Sequence, residues 1–487
     1  MSLMNSKELE FMTNSGLIQD VSLRFGVIGA GQKGNKDADI FAGYRFADGT
    51  QCYPTLAINF AQADMIHLKN IPEKDRIHFD GMKGAARTPS LVVELFDPTL
   101  NPKANELRSQ LAVAMEKKFA NVEHLIISLG AGGGVGTGWG SLTLNLIKEG
   151  FFPVPITLLI SLPFDDPDEI ANALLLLKEI QDFLKVQEEL FESSDTKPLA
   201  SVILTDNKKI YHDFELKKGS RTLQHTNLSW KDEGNNAVIS TIHEANLIPA
   251  NFGSDNVTYD PSDFIKLIQL SGKLLTIAKA RLEPDFTIEK LEAKMKASIE
   301  KGYFACGHQY QTATMYGGFI LRPSNADFFK DVITERTIKK VISDYNPITQ
   351  MRGKFGDPIW NENYAVIYTF FAGMGMPSRF AELAKELQQI KEKQEQVQQE
   401  SEVDVDVSAA IKNVKQSTFN PYQPKTNKFG GGGFGGGFQS VFSRSQSSVT
   451  KDDENQEGKK EEQTNRFGQR SGNRFDALRK IRLHENS

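Results

Sequence analysis

The sequence predicts an α/β fold built on a parallel sheet. Short apolar runs recur along its first half, at 125–129, 156–162 and 201–204. Their length and apolarity suit strands buried on both faces. Twice, a strand runs into a glycine-rich turn and then a helical pattern, after residue 28 and after residue 129. That succession is the βα unit of a parallel sheet.

The 487 residues exceed one typical core, so more than one domain is expected. A hydrophobic content of 39% supports a globular body, and a net charge of −5 argues against a protein that coats nucleic acid. Two cysteines, Cys52 and Cys306, are too few for a disulfide framework or a cysteine-rich zinc site. They read as reduced thiols in the cytoplasm. No apolar run has the length of a membrane span. Residues 1–20 mix Lys7, Glu8, Glu10 and Asp20 with scattered apolar positions. They read as a short amphipathic helix rather than a signal peptide.

Val21 to Ile28 form the first expected strand. Gly29-Ala30-Gly31-Gln32-Lys33-Gly34-Asn35 follows, with a helix expected from about Lys36. Its spacing fits G-x-G-x-x-G, so a Rossmann oxidoreductase is one reading. That reading needs an acidic residue closing the second strand. The second strand, Thr55 to Asn59, ends in an amide instead. Asn59 also suits an ordinary turn at a strand end. The next loop, 81–89, holds Gly84, Ala85, Ala86 and Arg87. Its small residues permit backbone donation to an anion. Arg87 could pair with phosphate oxygens or lie on the surface as a solvated charge.

The richest stretch is 124–141. Leu125 to Leu129 read as a strand, seven glycines follow from Gly130 to Gly140, and Ser141 to Ile147 reads as the start of a buried helix. Glycines let backbone N–H groups approach phosphate oxygens, and a helix N-terminus adds unpaired donors. Thr137 can add a hydroxyl. A plain turn needs one or two glycines, and no Gly-Lys-Ser/Thr closes the run as in a Walker loop.

The run Gly132-Gly133-Gly134-Val135-Gly136-Thr137-Gly138 resembles the Gly-Gly-Gly-Thr-Gly signature of the tubulin/FtsZ superfamily, with Val135 inserted. Residues 30–35 are similar to the first nucleotide loop of tubulins. The Gly-Ala-Ala-Arg of 84–87 looks like the γ-phosphate loop of the TubZ group in particular. Asn59 falls where FtsZ begins an Asn-Thr-Asp loop, although Phe60 and Ala61 replace Thr and Asp. The resemblance implies a Rossmann-like GTPase domain with a parallel sheet, a long central helix and a second, smaller α/β domain.

Ile156 to Leu162 is a strand. Asp166, Pro167 and Glu169 then read as N-cap, N1 and N3 of a helix to about Gln187. By resemblance this loop, with Glu169, lies beside the ribose. Ser201 to Leu204 is another strand, leading to Asp206, Asn207 and Tyr211. Asx turn chemistry accounts for Asp206-Asn207 locally; the resemblance makes them guanine readers. A helix is expected over 229–246, and by resemblance it is the central helix, with Asn235 as a second guanine contact and Asn236 as the neighbouring register. Trp230 reads as base cover or as core.

Asp260, Pro261 and Asp263 are a capping signal for a helix over 264–270. The family's catalytic Asp-x-x-Asp stands at this place, so the resemblance carries catalysis to Asp260 and Asp263. They follow the central helix and would act on the nucleotide of the next subunit. Thr258 replaces the family's Asn. Over 271–380, strands at 313–321 and 364–371 and helices at 288–301 and 326–342 are expected. His243 and His308 have no partners at metal spacing and read as structural. A charged helix spans 378–399. Beyond Ser401 the chain is glycine-, serine- and glutamine-rich and reads as a disordered tail with a basic end, Arg466 to Arg482.

The expected division is therefore an extension (1–20), a GTP-binding domain (21–226), a central helix (227–250), an activation domain (251–380), a C-terminal helix (381–400) and a tail (401–487). The resemblance covers roughly residues 21–270. It implies binding of GTP and GDP, with Mg2+ accompanying the nucleotide. It also implies head-to-tail self-assembly, and segregation of plasmid or phage DNA through a DNA-bound adaptor held by the tail. Neither membrane binding nor direct sequence-specific DNA binding is expected. A cell-division FtsZ is the alternative within the superfamily.

Overall fold

A computed structural model of the chain describes residues 20–80, 84–191, 196–218, 229–284, 287–324 and 332–401. The expected N-terminal helix and the tail beyond Ser401 lie outside the described residues. Among the described residues, those up to Glu392 belong to one compact unit and 393–401 group separately.

The first unit is organised by an eleven-stranded sheet. Its N-terminal part holds β1 (Phe25–Ala30), β2 (Thr55–Asn59), β3 (Arg76–His78), β4 (His124–Gly130), β5 (Ile156–Leu162) and β6 (Leu199–Asp206). These run parallel in the order 3-2-1-4-5-6. β1 lies between β2 and β4, with Ala30 opposite both Ile58 and Leu129. This is the doubly wound order, and its switch point falls between β1 and β4.

The connecting helices are α1 (Gly31–Gly43), α2 (Ser90–Leu95), α3 (Ala104–Lys118), α4 (Gly134–Lys148), α5 (Pro167–Leu190) and α6 (Asn207–Lys218). Strand alternation sends Phe25 and Val27 into one core with Phe41 of α1. Ile28 and Ala30 enter the other, with Leu142 of α4 and Leu176 of α5. α7 (Trp230–Asn251) joins the first core through Val238, Ile239 and Ile242.

The sheet continues through β7 (Lys273–Leu282), which pairs with β6 only at Ser201↔Lys273 and Val202↔Leu274. β7 then runs antiparallel to β11 (Ala365–Met374), and β11 antiparallel to β8 (Met315–Pro323). β9 (Arg352–Gly356) and β10 (Ile359–Trp360) flank β8. The remaining helices are α8 (Pro261–Leu270), α9 (Ile288–Lys301), α10 (Val332–Tyr345) and α11 (Ser378–Ser401).

Several boundaries differ from the sequence reading, for physical reasons. α4 starts at Gly134 inside the glycine run, not at Ser141, and α1 at Gly31, not near Lys36. Low helix propensity loses here to close packing. A Cβ on Gly34 would sit 2.0 Å from the Ser128 carbonyl oxygen, so α1 can lie on β4 only with glycine there. α7 runs past Asn246 and carries Pro249 in its last turns. β7, β9 and β10 had no clear alternation signal in their sequences.

Candidate nucleotide site

A cavity of about 340 Å³ opens beyond the carboxyl ends of β1, β2, β4, β5 and β6, where the doubly wound order reverses. Open α/β sheets bind ligands at that place. Gly31, Gln32 and Lys33 line it from the start of α1, Asn59 from the end of β2, and Gly84, Ala85 and Ala86 from the following loop. Gly132, Gly133, Gly134, Val135 and Gly136 form its central wall. Glu169, Asn207 and Asn235 complete it.

Two helix N-termini converge on this wall. Gly31 opens α1 with φ +71, a left-handed conformation that favours glycine. A Cβ there would meet the Gly136 amide nitrogen at 3.2 Å, so the two loops touch backbone to backbone. The N-cap of α4, Gly133, has no side-chain cap. Its first-turn N–H groups are the orphan donors of any helix start, and they favour an anion.

Thr137 does not project into the cavity. It is fully buried, and its hydroxyl accepts a hydrogen bond from the Gly132 amide at 2.8 Å, fixing the loop from within. Gly138 is also outside the lining; it lets α4 approach the Pro89 carbonyl and Val92. Asn35 is buried and exchanges hydrogen bonds with the Ile58 backbone, tying α1 to β2.

Arg87 is not among the residues lining the cavity. Its guanidinium pairs with Asp166 at 2.8 Å, the N-cap of α5. Ala86 and Arg87 have φ of 41 and 63, the only positive values among the described non-glycine residues. The loop carries local strain where it meets the cavity. Asn172 bridges it to the central wall, its side-chain amide donating to the Arg87 and Gly132 carbonyls, each at 2.9 Å.

Lys33 reaches Asp37 at 2.5 Å, and the Ser128 hydroxyl donates to the same carboxylate oxygen at 2.6 Å. Lys36 and Lys231 also line the cavity, as do Asp64 and Ser161. Sequence reasoning assigned none of these four to the site. Lys36 follows the glycine loop by two residues, and Lys231 precedes Asn235 by one helical turn, so spacing on the two helices could have found them.

At the α6 end, Asn207 and Asn235 line the cavity and Asp206 does not. The Asp206 carboxylate is buried and bound by Arg379 at 2.6 Å. Burial raises its pKa above the usual carboxylate range, opposed by the Arg379 charge. The Asp206 carboxylate thus stands behind the lining, to which Asn207 and Asn235 contribute polar groups. Trp230 packs against Tyr211 and Phe164, with ring centroids 5.5 and 6.3 Å away.

Asp260 and Asp263 are not part of the cavity lining. They form a capping box at the start of α8: Asp260 accepts from the Ser262 and Asp263 amides, and Asp263 accepts from the Asp260 amide. Hydrogen bonds led by the Ser262 hydroxyl hold the Asp260 pKa below its ordinary value. Lys354 of β9 pairs with Asp263 at 3.1 Å. Among the described residues no cluster of three His, Cys, Asp or Glu could hold a metal ion, and no helix is long and apolar enough to cross a membrane.

Residues 244–384 match the model of the C-terminal domain of the tubulin/FtsZ-like protein TubZ. The chain is 54% identical to the tubulin-like protein TubZ of Bacillus thuringiensis subsp. israelensis, over 93% of this chain and 96% of that protein. The chain belongs to the TubZ family of tubulin/FtsZ-like proteins. Among solved structures, a GTPγS-form protofilament of the B. thuringiensis serovar israelensis TubZ matches at a TM-score of 0.78 and 55% identity, covering 82% of this chain and all of that one. A TubZ described as a type III plasmid segregation protein matches at 0.75 and 53%, covering 81% and 99%. The expected strands at 313–321 and 364–371 correspond to β8 and β11, while β7, β9 and β10 were not expected from the sequence.

Proposed function

We propose that this TubZ-family chain binds and hydrolyses GTP, polymerises head to tail, and drives segregation of plasmid or phage DNA through a DNA-bound adaptor. The observation that carries the hydrolytic part is a separation. The cavity supplies amides and lysines that hold phosphates, while the Asp260–Asp263 pair stands outside its lining. The GTPγS-form protofilament of a relative supports assembly in the nucleotide-bound state.

The first-turn amides of α4 and the Gly31–Lys33 backbone cradle the phosphates, with Lys33 adding charge. Asn207 and Asn235 hydrogen-bond the guanine edge, and Glu169 stands at the ribose. Mg2+ would lie with the phosphates, where Asp64 and Glu169 are the carboxylates of the lining, and would withdraw charge from the terminal phosphoryl group. The next subunit brings Asp260 and Asp263 to the cavity mouth. There an ionised carboxylate orients the attacking water and accepts its proton.

Specific GTPase activity is therefore expected to rise steeply above a critical protein concentration. Activity strictly proportional to protein down to high dilution would place a complete site in one chain and defeat the reading. A chain cut after residue 400 is expected to keep GTP-dependent assembly and to lose capture of the adaptor–DNA complex. Loss of assembly in the cut chain would give the tail a different role.

A further inference from the structure

The first turn of α6 carries Asn207, and the three charged residues around it are all held from the C-terminal part of the chain. Asp206 divides its carboxylate: Oδ1 accepts from the Lys208 amide at 2.9 Å, capping α6, and Oδ2 accepts from Arg379 Nε at 2.6 Å. Arg379 in turn donates to Glu386 through Nη1 at 2.8 Å and Nη2 at 3.3 Å. Lys208 reaches the same Glu386 at 2.8 Å. Lys209 donates to the Ala305 and Glu300 carbonyls at 2.8 and 3.1 Å.

Arg379 and Asp206 are each only 6% exposed. A buried charge pair of this kind costs desolvation and is weak evidence for stability alone. Its geometry does something more specific. With one oxygen on α6 and the other on the guanidinium, Asp206 cannot turn without moving the peptide that begins at Asn207. Recognition by hydrogen bonds depends on such second contacts, because a displaced amide leaves a polar group of the base unpaired.

We propose that Arg379 is a positioning residue for base recognition: anchored by Glu386, it fixes Asp206 and through it the Asn207 amide, so that α11 sets guanine selectivity from outside the cavity. This rests on the reading of the cavity as a guanine nucleotide site.

The test is displacement of a fluorescent GDP analogue by GTP, ITP and ATP, using full-length protein below its assembly concentration. Wild type, Arg379→Ala, Arg379→Lys and Glu386→Gln are compared, with thermal melts alongside. In Arg379→Ala the GTP-over-ATP preference is expected to shrink about tenfold, the scale of one hydrogen bond to the base, while ATP affinity stays near wild type. Arg379→Lys should recover part of the preference, and Glu386→Gln should lose a smaller part. Equal weakening of GTP and ATP, or an unchanged preference, would reduce Arg379 to a structural latch. If Arg379→Ala does not fold, wild-type selectivity in both Arg379→Lys and Glu386→Gln overturns the proposal. A wild type that does not prefer GTP defeats the underlying reading instead.

Discussion

The cavity wall and the 252–263 segment are built by opposite means. The wall presents backbone: helix starts at Gly31 and Gly134, close approaches only glycine allows, and side chains such as Thr137 turned inward to brace it. The 252–263 segment presents carboxylates and is braced by other charges. Arg322 is fully buried, pairing with Asp357 at 3.2 Å and also with Asp255. Asp357 accepts from the Val257 amide at 2.8 Å and the Ser254 hydroxyl at 2.5 Å. Backbone amides suit an anion; the carboxylates of Asp260 and Asp263 suit work on water. The division fits a site shared between two subunits.

The largest effect should come from breaking the bracing of the second region. Arg322→Met strands the buried Asp357 carboxylate, a loss of about 3–5 kcal/mol for a broken buried pair. Urea unfolding should read it directly. A loss below about 1 kcal/mol would mean that water, not Arg322, supports the segment.

Asp260→Ala comes next and tests the division of labour itself. It should bind GTP normally, form persistent filaments by electron microscopy, and lose turnover by about 10²-fold, the scale of one general base. Gly134→Ala damages the other half: its Cβ would lie 2.8 Å from both Ala85 Cβ and the Thr88 amide nitrogen, displacing the wall. Mixed filaments of the two variants should recover part of the phosphate release. No recovery in filaments shown to contain both chains would place the two regions in one site per subunit.

Much of this was legible in the sequence, and the reasons are local. The glycine run 130–140, Asp166-Pro167 and Asp260-Pro261-Ser262-Asp263 each encode a conformation within a few residues, and α5 and α8 begin where those signals stand. Side-chain direction was not legible. Thr137, Arg87 and Asp206 belong to loops beside the cavity, yet their partners, Gly132, Asp166 and Arg379, lie on other turns or distant elements. Asp206 and Arg379 are 173 positions apart, and no spacing rule links them. β7 was missed because Lys279 and Arg281 interrupt its apolar pattern; Lys279 snorkels to the buried Glu244, and Arg281 stacks over Tyr364.

The smallest expected effect concerns Lys354, and it sharpens the boundary of the carboxylate region. Lys354 pairs with Asp263 at 3.1 Å but is 40% exposed, so the pair is screened by water and salt. Without it, Asp263 still accepts from the Asp260 amide, and Asp260 keeps its two amide bonds and the Ser262 hydroxyl. Lys354→Ala should therefore change unfolding free energy by less than about 1 kcal/mol, and turnover should fall no more than about threefold. A fall matching Asp260→Ala, with stability unchanged, would be informative in the other direction. Lys354 would then act on the neighbouring subunit's phosphate as a cation delivered from β9, and the second region would supply charge of both signs.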